Sequence, residues 1–425
     1  MNLSNLGLSN INKFTYDSIN ESIRKFYNIN GNISTFNPYF RLFSNYEKNY
    51  LFNHKHKLIR LIKKKGRIDT TGYRFKALIK YKNITYFKNV FIKEVPLFSL
   101  DMVNSYDTNS NSIDLIQQSI NNKIYNLNSS CNVEIFTSYL VNKLSEAKLS
   151  PSFGTYYGSY LTNFKKFTYE ENDLNTEKYS QFKKYVKNDT TMVEVNDIPV
   201  QMLVIEQLEF DFQFAYETNM INYFFLISII FQIISAIIVL QREFNLKHND
   251  LHIGNIMFIK THRKYLYYKS ESVYFKVPTF GFLVKIIDWG RSTFRIKDID
   301  ISNNIFSFEG ECFHQYRHRR LGCEKKCILP SDNKWSDLVI ISHNILHNCK
   351  EYIDSDIGIF LKKIIKTNSN KIDIDTFDWS VYLNISKNVF NINPKSLLRN
   401  KLFKDYQINK DEIMNQSVYV YNISY

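Results

Sequence analysis

The chain has 425 residues, of which 44% are hydrophobic and 16% aromatic, so it can bury a sizeable core and is not a wholly disordered protein. Its 55 Lys and Arg residues against 41 Asp and Glu residues give a formal net charge of +14, which favours acidic partners such as nucleotide phosphates, nucleic acid or an acidic membrane surface. Because the basic residues are spread along the chain, nucleic acid is the weaker expectation among these.

Cysteine usage and the first residues indicate a cellular compartment. The five cysteines are irregularly spaced and predict no disulfide framework, which is typical of a reducing environment. The opening MNLSNLGLSN lacks a basic stretch followed by an apolar core, so no secretory signal is expected. Asn2 stands where N-myristoylation requires glycine. A cytoplasmic location is therefore expected.

Strands are predicted after a polar, Asn-rich segment, residues 1–58, which we expect to be an accessory extension. The stretches TGYRFKALIKYK and ITYFKNVFIKEV alternate apolar and polar residues at period two, with a short polar joint between them. Gly66 and Gly72 flank RIDTT, which is either a glycine loop that covers phosphates or an ordinary hairpin turn.

Lys93 lies inside the apolar strand VFIKEVP. A lysine on the buried face of a strand needs an anion to meet, although the alternating pattern also allows Lys93 to point outwards. The segment Cys131–Lys148 has helical spacing of its apolar residues. Within it Glu134 is the candidate partner of Lys93, with Glu146 as the second choice, and both could instead be surface carboxylates.

The next stretches are a predicted strand in SFGTYYGSYL and a charged excursion, residues 165–198, interpreted as a surface insertion. Pro199–Leu208 is then predicted to be a buried strand that runs into a connector. Ile221–Leu240 carries no charge over 20 residues, which is long enough for a membrane span. Polar residues interrupt it and a motif-bearing loop follows at once, so we expect a core helix and no membrane span.

Two predicted loops contain the candidate catalytic residues. In LKHNDLHIGNIM, Asp250 and Asn255 follow a long apolar run, and in VKIIDWGRS, Asp288 closes another. Phosphoryl transfer needs a carboxylate to accept the proton of the attacking hydroxyl, and oxygen ligands to hold Mg²⁺ across the phosphates. The pattern H-x-D-x-x-x-x-N followed by D-x-G supplies these groups in that order. A chance match in a chain rich in Asp and Asn is the alternative.

Around and after these loops the sequence predicts an extra hairpin over residues 260–281 and an activation or substrate segment over residues 291–330. In WSDLVIISHNIL, a predicted helix, Asp337 is positioned to accept backbone N–H bonds from the first loop. The segment 291–330 also contains soft ligands that could bind Zn²⁺, although their spacing matches no standard finger and isolated thiols are the alternative. These residues are Cys312, His314, His318, Cys323 and Cys327.

The order of these parts, from Lys93 through HNDLHIGN to DWG, resembles the eukaryotic-type protein kinase superfamily over roughly residues 60–410. Within it, DLHIGN and the hairpin ending in VPTFGFLVKIID are similar to haspin and to the divergent kinase-like proteins of large DNA viruses. If the source is viral, host cytoplasm or virion is the expected location.

This resemblance implies an α+β, bilobal fold with a β-rich N-lobe with insertions over residues 59–208 and a mainly helical C-lobe over residues 209–425. It implies ATP and Mg²⁺ as cofactors and a protein hydroxyl as acceptor. By this resemblance Asp250 deprotonates the acceptor hydroxyl, and Asn255 and Asp288 hold Mg²⁺. Lys93 binds the α/β-phosphates and is held by Glu134. The residues Glu206 to Leu208 bind adenine, and Ile205 lines the adenine pocket.

Three departures from the family pattern matter. Asn249 replaces the usual arginine, so we expect activity not to depend on phosphorylation of the activation segment. His252 stands where a lysine usually contacts the γ-phosphate, which predicts a catalytic contribution that changes with pH near neutrality. No A-P-E follows the activation segment.

The sequence therefore predicts an ATP-dependent Ser/Thr protein kinase with an unknown oligomeric state. A small-molecule kinase of the aminoglycoside and choline type is one alternative, because such enzymes also use H-x-D-L-H-x-x-N. A pseudokinase scaffold is the other, because the glycine loop is thin.

Overall fold

The computed structural model describes residues 17–35, 54–68, 72–97, 123–171, 183–187, 190–296, 298–307, 310, 312, 333–366, 382, 392–414 and 417–425. The chain divides into two compact units. The described residues of the N-terminal unit lie within Asn2–Tyr139 and Thr155–Gln207, and those of the C-terminal unit lie within Leu140–Gly154 and Leu208–Tyr425.

The N-terminal unit is built on a seven-stranded antiparallel sheet of order β1-β5-β7-β4-β3-β2, with β6 paired to β7. One face of the sheet packs a core of apolar side chains against helix α1 and the residues that follow it. The elements are α1 (Asp17–Phe26), β1 (Ile29–Thr35), β2 (His56–Ile68), β3 (Gly72–Tyr81), β4 (Ile84–Pro96), α2 (Ser130–Glu146), β5 (Tyr156–Glu171), β6 (Lys183–Lys187) and β7 (Thr190–Glu206). The part of α2 from Leu140 onwards belongs to the C-terminal unit.

The described part of the Asn-rich N-terminal segment belongs to this sheet. Strand β1 pairs with β5, and Ser18 Oγ on α1 donates to the carbonyl of Ile59 at 3.0 Å. Ile23 on α1 is fully buried in the core. The scattered apolar residues of this segment therefore complete the N-terminal unit.

Strands β3 and β4 confirm the predicted alternating pair. Gly72 lies opposite Lys93 in the β3–β4 register, and a Cβ atom at Gly72 would lie 2.0 Å from the carbonyl oxygen of Ile92. Only glycine allows the two backbones to approach this closely. Residues 69–71, at the tip of the β2–β3 hairpin, lie outside the described residues, so a glycine loop and a plain turn both stay open.

The interpretation of residues 165–198 as a surface insertion was wrong for most of that range. Strands β5 and β7 pair continuously from Phe164↔Ile198 to Glu171↔Thr191, with β6 alongside. Apolar residues between the charged ones, such as Phe167 and Val193, are buried on one face of the sheet. The charged residues therefore alternate along a strand, which is a period-two pattern hidden by the high lysine content.

The C-terminal unit combines helices with three small sheets, of orders β12-β9-β8, β15-β11-β10-β16 and β13-β14. Its helices are α3 (Phe212–Glu217), α4 (Tyr223–Phe244), α5 (Ser336–Asn348), α6 (Asp356–Ile365), α7 (Pro394–Leu398) and α8 (Asp411–Met414). Its strands are β8 (Phe210–Asp211), β9 (Ile256–Lys260), β10 (Tyr265–Ser270), β11 (Val273–Pro278), β12 (Phe282–Ile286), β13 (Phe294–Ile296), β14 (Ile299–Ile301), β15 (Gln407–Ile408) and β16 (Val420–Asn422). The predicted extra hairpin, β10–β11, is confirmed.

The long apolar helix α4 is the core of the C-terminal unit. It is apolar and long enough to cross a membrane, but 89% of its most hydropathic window is buried within the protein. The polar residues in its middle are used for packing: Ser228 Oγ donates to the carbonyl of Pro278 at 2.6 Å, and Gln232 Oε1 accepts from Val284 N at 3.1 Å. Polar side chains that tie a helix to neighbouring strands indicate a core helix, as the sequence predicted.

The described residues thus form an α+β chain compatible with a kinase-like fold, and the arrangement of two lobes stays a prediction.

Candidate functional site

The loop Lys247–Asn255, between α4 and β9, carries the first motif and is fixed at its start by a buried carboxylate. Asp337, fully buried on α5, accepts from His248 N at 2.7 Å through Oδ2 and from Asn249 N at 2.8 Å through Oδ1. The predicted role of Asp337 is therefore confirmed. Further along the loop, Asn344 Oδ1, also on α5, accepts from Ile253 N at 2.8 Å.

The same loop is tied to the second motif. Lys247 and Thr293 exchange two backbone hydrogen bonds, of 2.9 and 3.0 Å. His248 Nε2 lies 2.7 Å from the carbonyl oxygen of Ile287, and the His248 ring packs on Trp289 at 4.9 Å between centroids. The loop, just before Asp250, is thus held to the second motif by contacts on both sides of Asp288.

Asn249 fills the position at which the family usually has arginine, and the structure gives it a packing role. It is fully buried with φ +64°, a left-handed conformation that asparagine tolerates. Its Nδ2 donates to the carbonyl of Arg291 at 2.9 Å and lies 3.1 Å from Thr293 Oγ1. The prediction that activity needs no activation-segment phosphate stays untested.

Asp250, the candidate base, accepts two hydrogen bonds through one oxygen atom. Its Oδ1 lies 2.9 Å from Arg291 Nη1 and 2.7 Å from the hydroxyl oxygen of Tyr382. Its Oδ2 lies 3.9 Å from His252 Nε2, too far for a hydrogen bond. The Asp250 side chain keeps 17% of its surface exposed, so the carboxylate is reachable from solvent.

His252 is placed to cap the turn that leads to Asn255. Its Nδ1 accepts from Gly254 N at 3.1 Å, and its Nε2 lies 3.3 Å from Asn255 Nδ2. Burial lowers the pKa of His252, and the negative charge of Asp250 opposes that shift in part. The hydrogen bond that Nδ1 accepts from Gly254 N favours the neutral ring with its proton on Nε2. The lowered pKa favours the neutral imidazole, and the predicted contribution of His252 that changes with pH stays a prediction.

Asn255 and Asp288 lie at the same end of the β9–β12 ladder. Ile256 pairs with Ile286, and Ile287 N donates to the carbonyl of Asn255 at 3.1 Å, which brings Asp288 next to Asn255. Asp288 is exposed and has φ +64°, a conformation that is sparsely populated and clusters at functional sites.

The two side chains fit the oxygen-only coordination that Mg²⁺ prefers. Asn255 Nδ2 donates to the carbonyl of Asp250 at 2.9 Å, so the amide oxygen of Asn255 points away from that carbonyl. Mg²⁺ is commonly held by one or two protein oxygens, with waters and substrate phosphates as the other ligands. Among the residues that the structure describes, no three His, Cys, Asp or Glu side chains cluster closely enough to hold a metal ion by themselves.

In the N-terminal unit, Lys93 points away from the apolar core and meets Glu134. The residues on either side of it, Ile92 and Glu94, are buried, and Lys93 Nζ lies 2.5 Å from Glu134 Oε1 on α2. The second-choice partner, Glu146, instead accepts from Lys143 at 2.7 Å within the C-terminal unit. The phosphate-clamping role of the pair stays a prediction.

The predicted hinge lies at the end of β7. Glu206 N donates to the carbonyl of Thr155 at 2.9 Å, and the Glu206 carboxylate lies 3.4 Å from Lys88 Nζ. Ile205 is half-buried, and Leu208, the first residue of the C-terminal unit in this stretch, is buried. The adenine-binding roles of Ile205, Glu206 and Leu208 stay predictions.

The Cys and His cluster of residues 312–327 falls almost wholly outside the described residues. Cys312 is the exception, and it is buried against Phe306. The zinc hypothesis for His314, His318, Cys323 and Cys327 is therefore untested.

Comparison with known proteins gives partial matches. Haspin, a serine/threonine-protein kinase of Mus musculus, is 35% identical over 98 residues, which are 22% of this chain and 13% of that protein. Haspin of Bos taurus is 34% identical over 98 residues, again 22% of this chain and 12% of its own length. A probable serine/threonine-protein kinase of Dictyostelium discoideum is 35% identical over 83 residues, 18% of this chain and 7% of its own length. No family model matches the chain.

The chain is related locally to serine/threonine protein kinases. Each match spans a small fraction of the relative's own length, at most 13%. A kinase-like relationship follows, and activity, substrate and partners remain matters for proposal. The resemblance to viral proteins stays a prediction.

Sequence reasoning missed two residues at the candidate base. Arg291, three positions after Asp288, carried a signal, because a basic residue near a candidate catalytic carboxylate is a natural ion-pair partner. Tyr382 carried none, because its contact with Asp250 joins positions 132 residues apart.

Proposed function

We propose that this protein is a Mg²⁺- and ATP-dependent Ser/Thr protein kinase. The observation that carries the proposal is the loop geometry around Asp250: a motif carboxylate reachable from solvent, on a loop fixed by Asp337 and joined through Asn255 to the segment of Asp288. Local similarity to serine/threonine protein kinases supports the same conclusion.

Each side chain has a defined task in this proposal. Asp250 orients the acceptor hydroxyl and takes its proton at a carboxylate oxygen. Asn255 and Asp288 would hold the metal through an amide and a carboxylate oxygen. Lys93, oriented by Glu134, offers a fixed ammonium to phosphate oxygens. When bound, Mg·ATP supplies the γ-phosphoryl group and the cation that neutralises its charge.

His252 enters this proposal as a neutral group. A neutral imidazole that caps the turn before Asn255 orients the loop, and it cannot supply the positive charge of the lysine usual at this position. Electrostatic stabilisation at the acceptor side therefore falls to other cations, and Arg291 is in contact with Asp250.

The decisive experiment measures Mg·ATP binding by calorimetry and phosphate transfer from labelled ATP to a degenerate Ser/Thr peptide library. Wild-type protein should bind Mg·ATP and label peptides, and Asp250→Asn should bind Mg·ATP with similar affinity but label none. Binding without transfer in the wild type would favour a pseudokinase scaffold. Labelling of choline or aminoglycosides but of no peptide would favour a small-molecule kinase.

A further inference from the structure

A tyrosine from the C-terminal part of the chain lies on the carboxylate of the candidate base. The Tyr382 hydroxyl donates to Asp250 Oδ1 at 2.7 Å, and the Tyr382 side chain is only 6% exposed. Its sequence neighbours, residues 367–381 and 383–391, lie outside the described part of the chain. The contact therefore comes from a segment distant from both motifs.

This hydroxyl lies where the substrate hydroxyl that receives the phosphoryl group is expected. A hydroxyl that is to lose its proton to a general base must lie about 2.6–3.2 Å from it. The Tyr382 hydroxyl meets that distance, with its O–H directed at the carboxylate oxygen of Asp250. A tyrosine of the protein itself thus makes the contact that the proposed reaction requires of a substrate.

No second hydroxyl fits easily on the same oxygen. A carboxylate oxygen has two lone pairs, and Asp250 Oδ1 already accepts from Arg291 at 2.9 Å as well as from Tyr382. Arg291 is fixed in turn, because its carbonyl accepts from Asn249 Nδ2 at 2.9 Å. A substrate hydroxyl can reach Oδ1 only when the Tyr382 hydroxyl leaves, so the competition concerns Oδ1 and not Oδ2, the oxygen 3.9 Å from His252 Nε2.

We propose that the substrate hydroxyl gives its proton to Asp250 Oδ1 and that Tyr382, which occupies this oxygen, competes there with the hydroxyl of the protein substrate. The inference rests on the proposed function, because it assigns a regulation to that same site. Because substrate binds only the fraction of molecules whose acceptor position is open, the apparent affinity for substrate is reduced by that fraction. The turnover of bound substrate is not reduced.

The protonation state of the phenol is consistent with this occupancy. Burial raises the pKa of Tyr382, and the negative charge of Asp250 raises it further. The hydroxyl therefore keeps its proton at neutral pH and stays a donor to the carboxylate.

The test compares steady-state phosphate transfer from Mg·ATP to a degenerate Ser/Thr peptide library by wild-type, Tyr382→Phe and Tyr382→Ala proteins. Loss of the hydrogen bond in Tyr382→Phe should lower the KM for peptide about tenfold, equivalent to about 1.4 kcal/mol, with kcat unchanged within about twofold. Tyr382→Ala, which also removes the ring, should lower KM further. The matched control is Tyr268→Phe, another buried tyrosine of the same unit, whose kinetics should equal those of the wild type.

Two kinetic results would overturn the inference. A lower kcat at unchanged KM in Tyr382→Phe would mean that the phenol positions Asp250 for catalysis, and kinetics equal to the wild type would mean that it does not compete. Phosphate found on Tyr382 by mass spectrometry after incubation with Mg·ATP, and absent in Asp250→Asn, would support the inference, because transfer to Tyr382 requires its hydroxyl at the acceptor position.

Failure of the proposed function is recognised separately. If the wild type binds Mg·ATP in calorimetry and Asp250→Asn abolishes transfer, the proposed function holds and the KM values decide the role of Tyr382 alone. If no protein binds Mg·ATP and no variant labels any peptide, the proposed function fails and the acceptor role of Tyr382 fails with it.

Discussion

The substitution Asp337→Ala is expected to loosen the loop that carries Asp250 without changing any residue of that loop. Asp337 is the acceptor for two buried backbone N–H groups, those of His248 and Asn249, at 2.7 and 2.8 Å. A buried donor left without an acceptor costs about 1–3 kcal/mol, so two donors predict a loss of about 2–6 kcal/mol in the free energy of opening the loop.

Hydrogen exchange measured by mass spectrometry on peptides that cover residues 246–252 tests this magnitude. A loss of 2 kcal/mol predicts at least ~30-fold faster exchange of these amides, since 1.36 kcal/mol corresponds to a factor of ten. Asp337→Asn, which keeps one acceptor oxygen, should give an intermediate rate.

The matched control for this experiment is Asp300→Ala. Asp300 is 64% exposed and pairs with Arg295 on the surface, so its removal should change stability by less than about 0.5 kcal/mol. The kcat of Asp337→Ala should fall in parallel with the loss of protection. Exchange at the wild-type rate in Asp337→Ala would refute the conclusion that this carboxylate holds the loop.

Three further predictions concern other groups. Lys93→Met should lower the free energy of unfolding by ~2–3 kcal/mol, less than the loss of a fully buried ion pair, because Lys93 is 19% exposed. The double variant Lys93→Met/Glu134→Gln should restore the unfolding midpoint but not the affinity for ATP. Recovery of both in the double variant would contradict the phosphate-binding role of Lys93. Asp288→Asn should raise the Mg²⁺ concentration for half-maximal transfer on the order of tenfold, and an unchanged requirement would exclude Asp288 as a ligand. Burial raises the pKa of Glu94 from 4.5 to about 7. Between these two pH values the Glu94 carboxyl is therefore protonated in the native state and ionised in the unfolded state. The free energy of unfolding should therefore fall on the order of 3 kcal/mol as pH rises through that range, and denaturant titrations of Glu94→Gln should lack that fall.

Local patterns were sufficient for many of the elements. The alternation in β3 and β4 and the helical spacing in α2 are short-range signals, and the two strands and the helix appear in the structure as predicted. The single apolar face expected for α2 does not, because every residue from Cys131 to Leu144 is buried. The range 165–198 failed because lysine and glutamate on the exposed face of β5 and β7 masked the buried residues between them. Alternation at period two predicts a strand reliably only when the apolar, buried residues are recognised between the charged ones.

The identity of the candidate catalytic groups is a property of the sequence by itself. Asp250, Asn255 and Asp288 stand in motifs whose spacing names them, and Asp337 could be assigned because a helix after the loop offers one buried carboxylate. Their chemistry follows from residue type, since only oxygen ligands and a carboxylate base suit phosphoryl transfer with Mg²⁺.

Only the tertiary structure decided which groups touch Asp250. Tyr382 reaches it from 132 positions away, and Arg291 from 41. Periodicity and spacing describe neighbours within one helix or strand, whereas these contacts depend on how helices, loops and strands of a whole unit pack together. The sequence alone therefore names a candidate base, and the packing determines that a tyrosine hydroxyl contacts it.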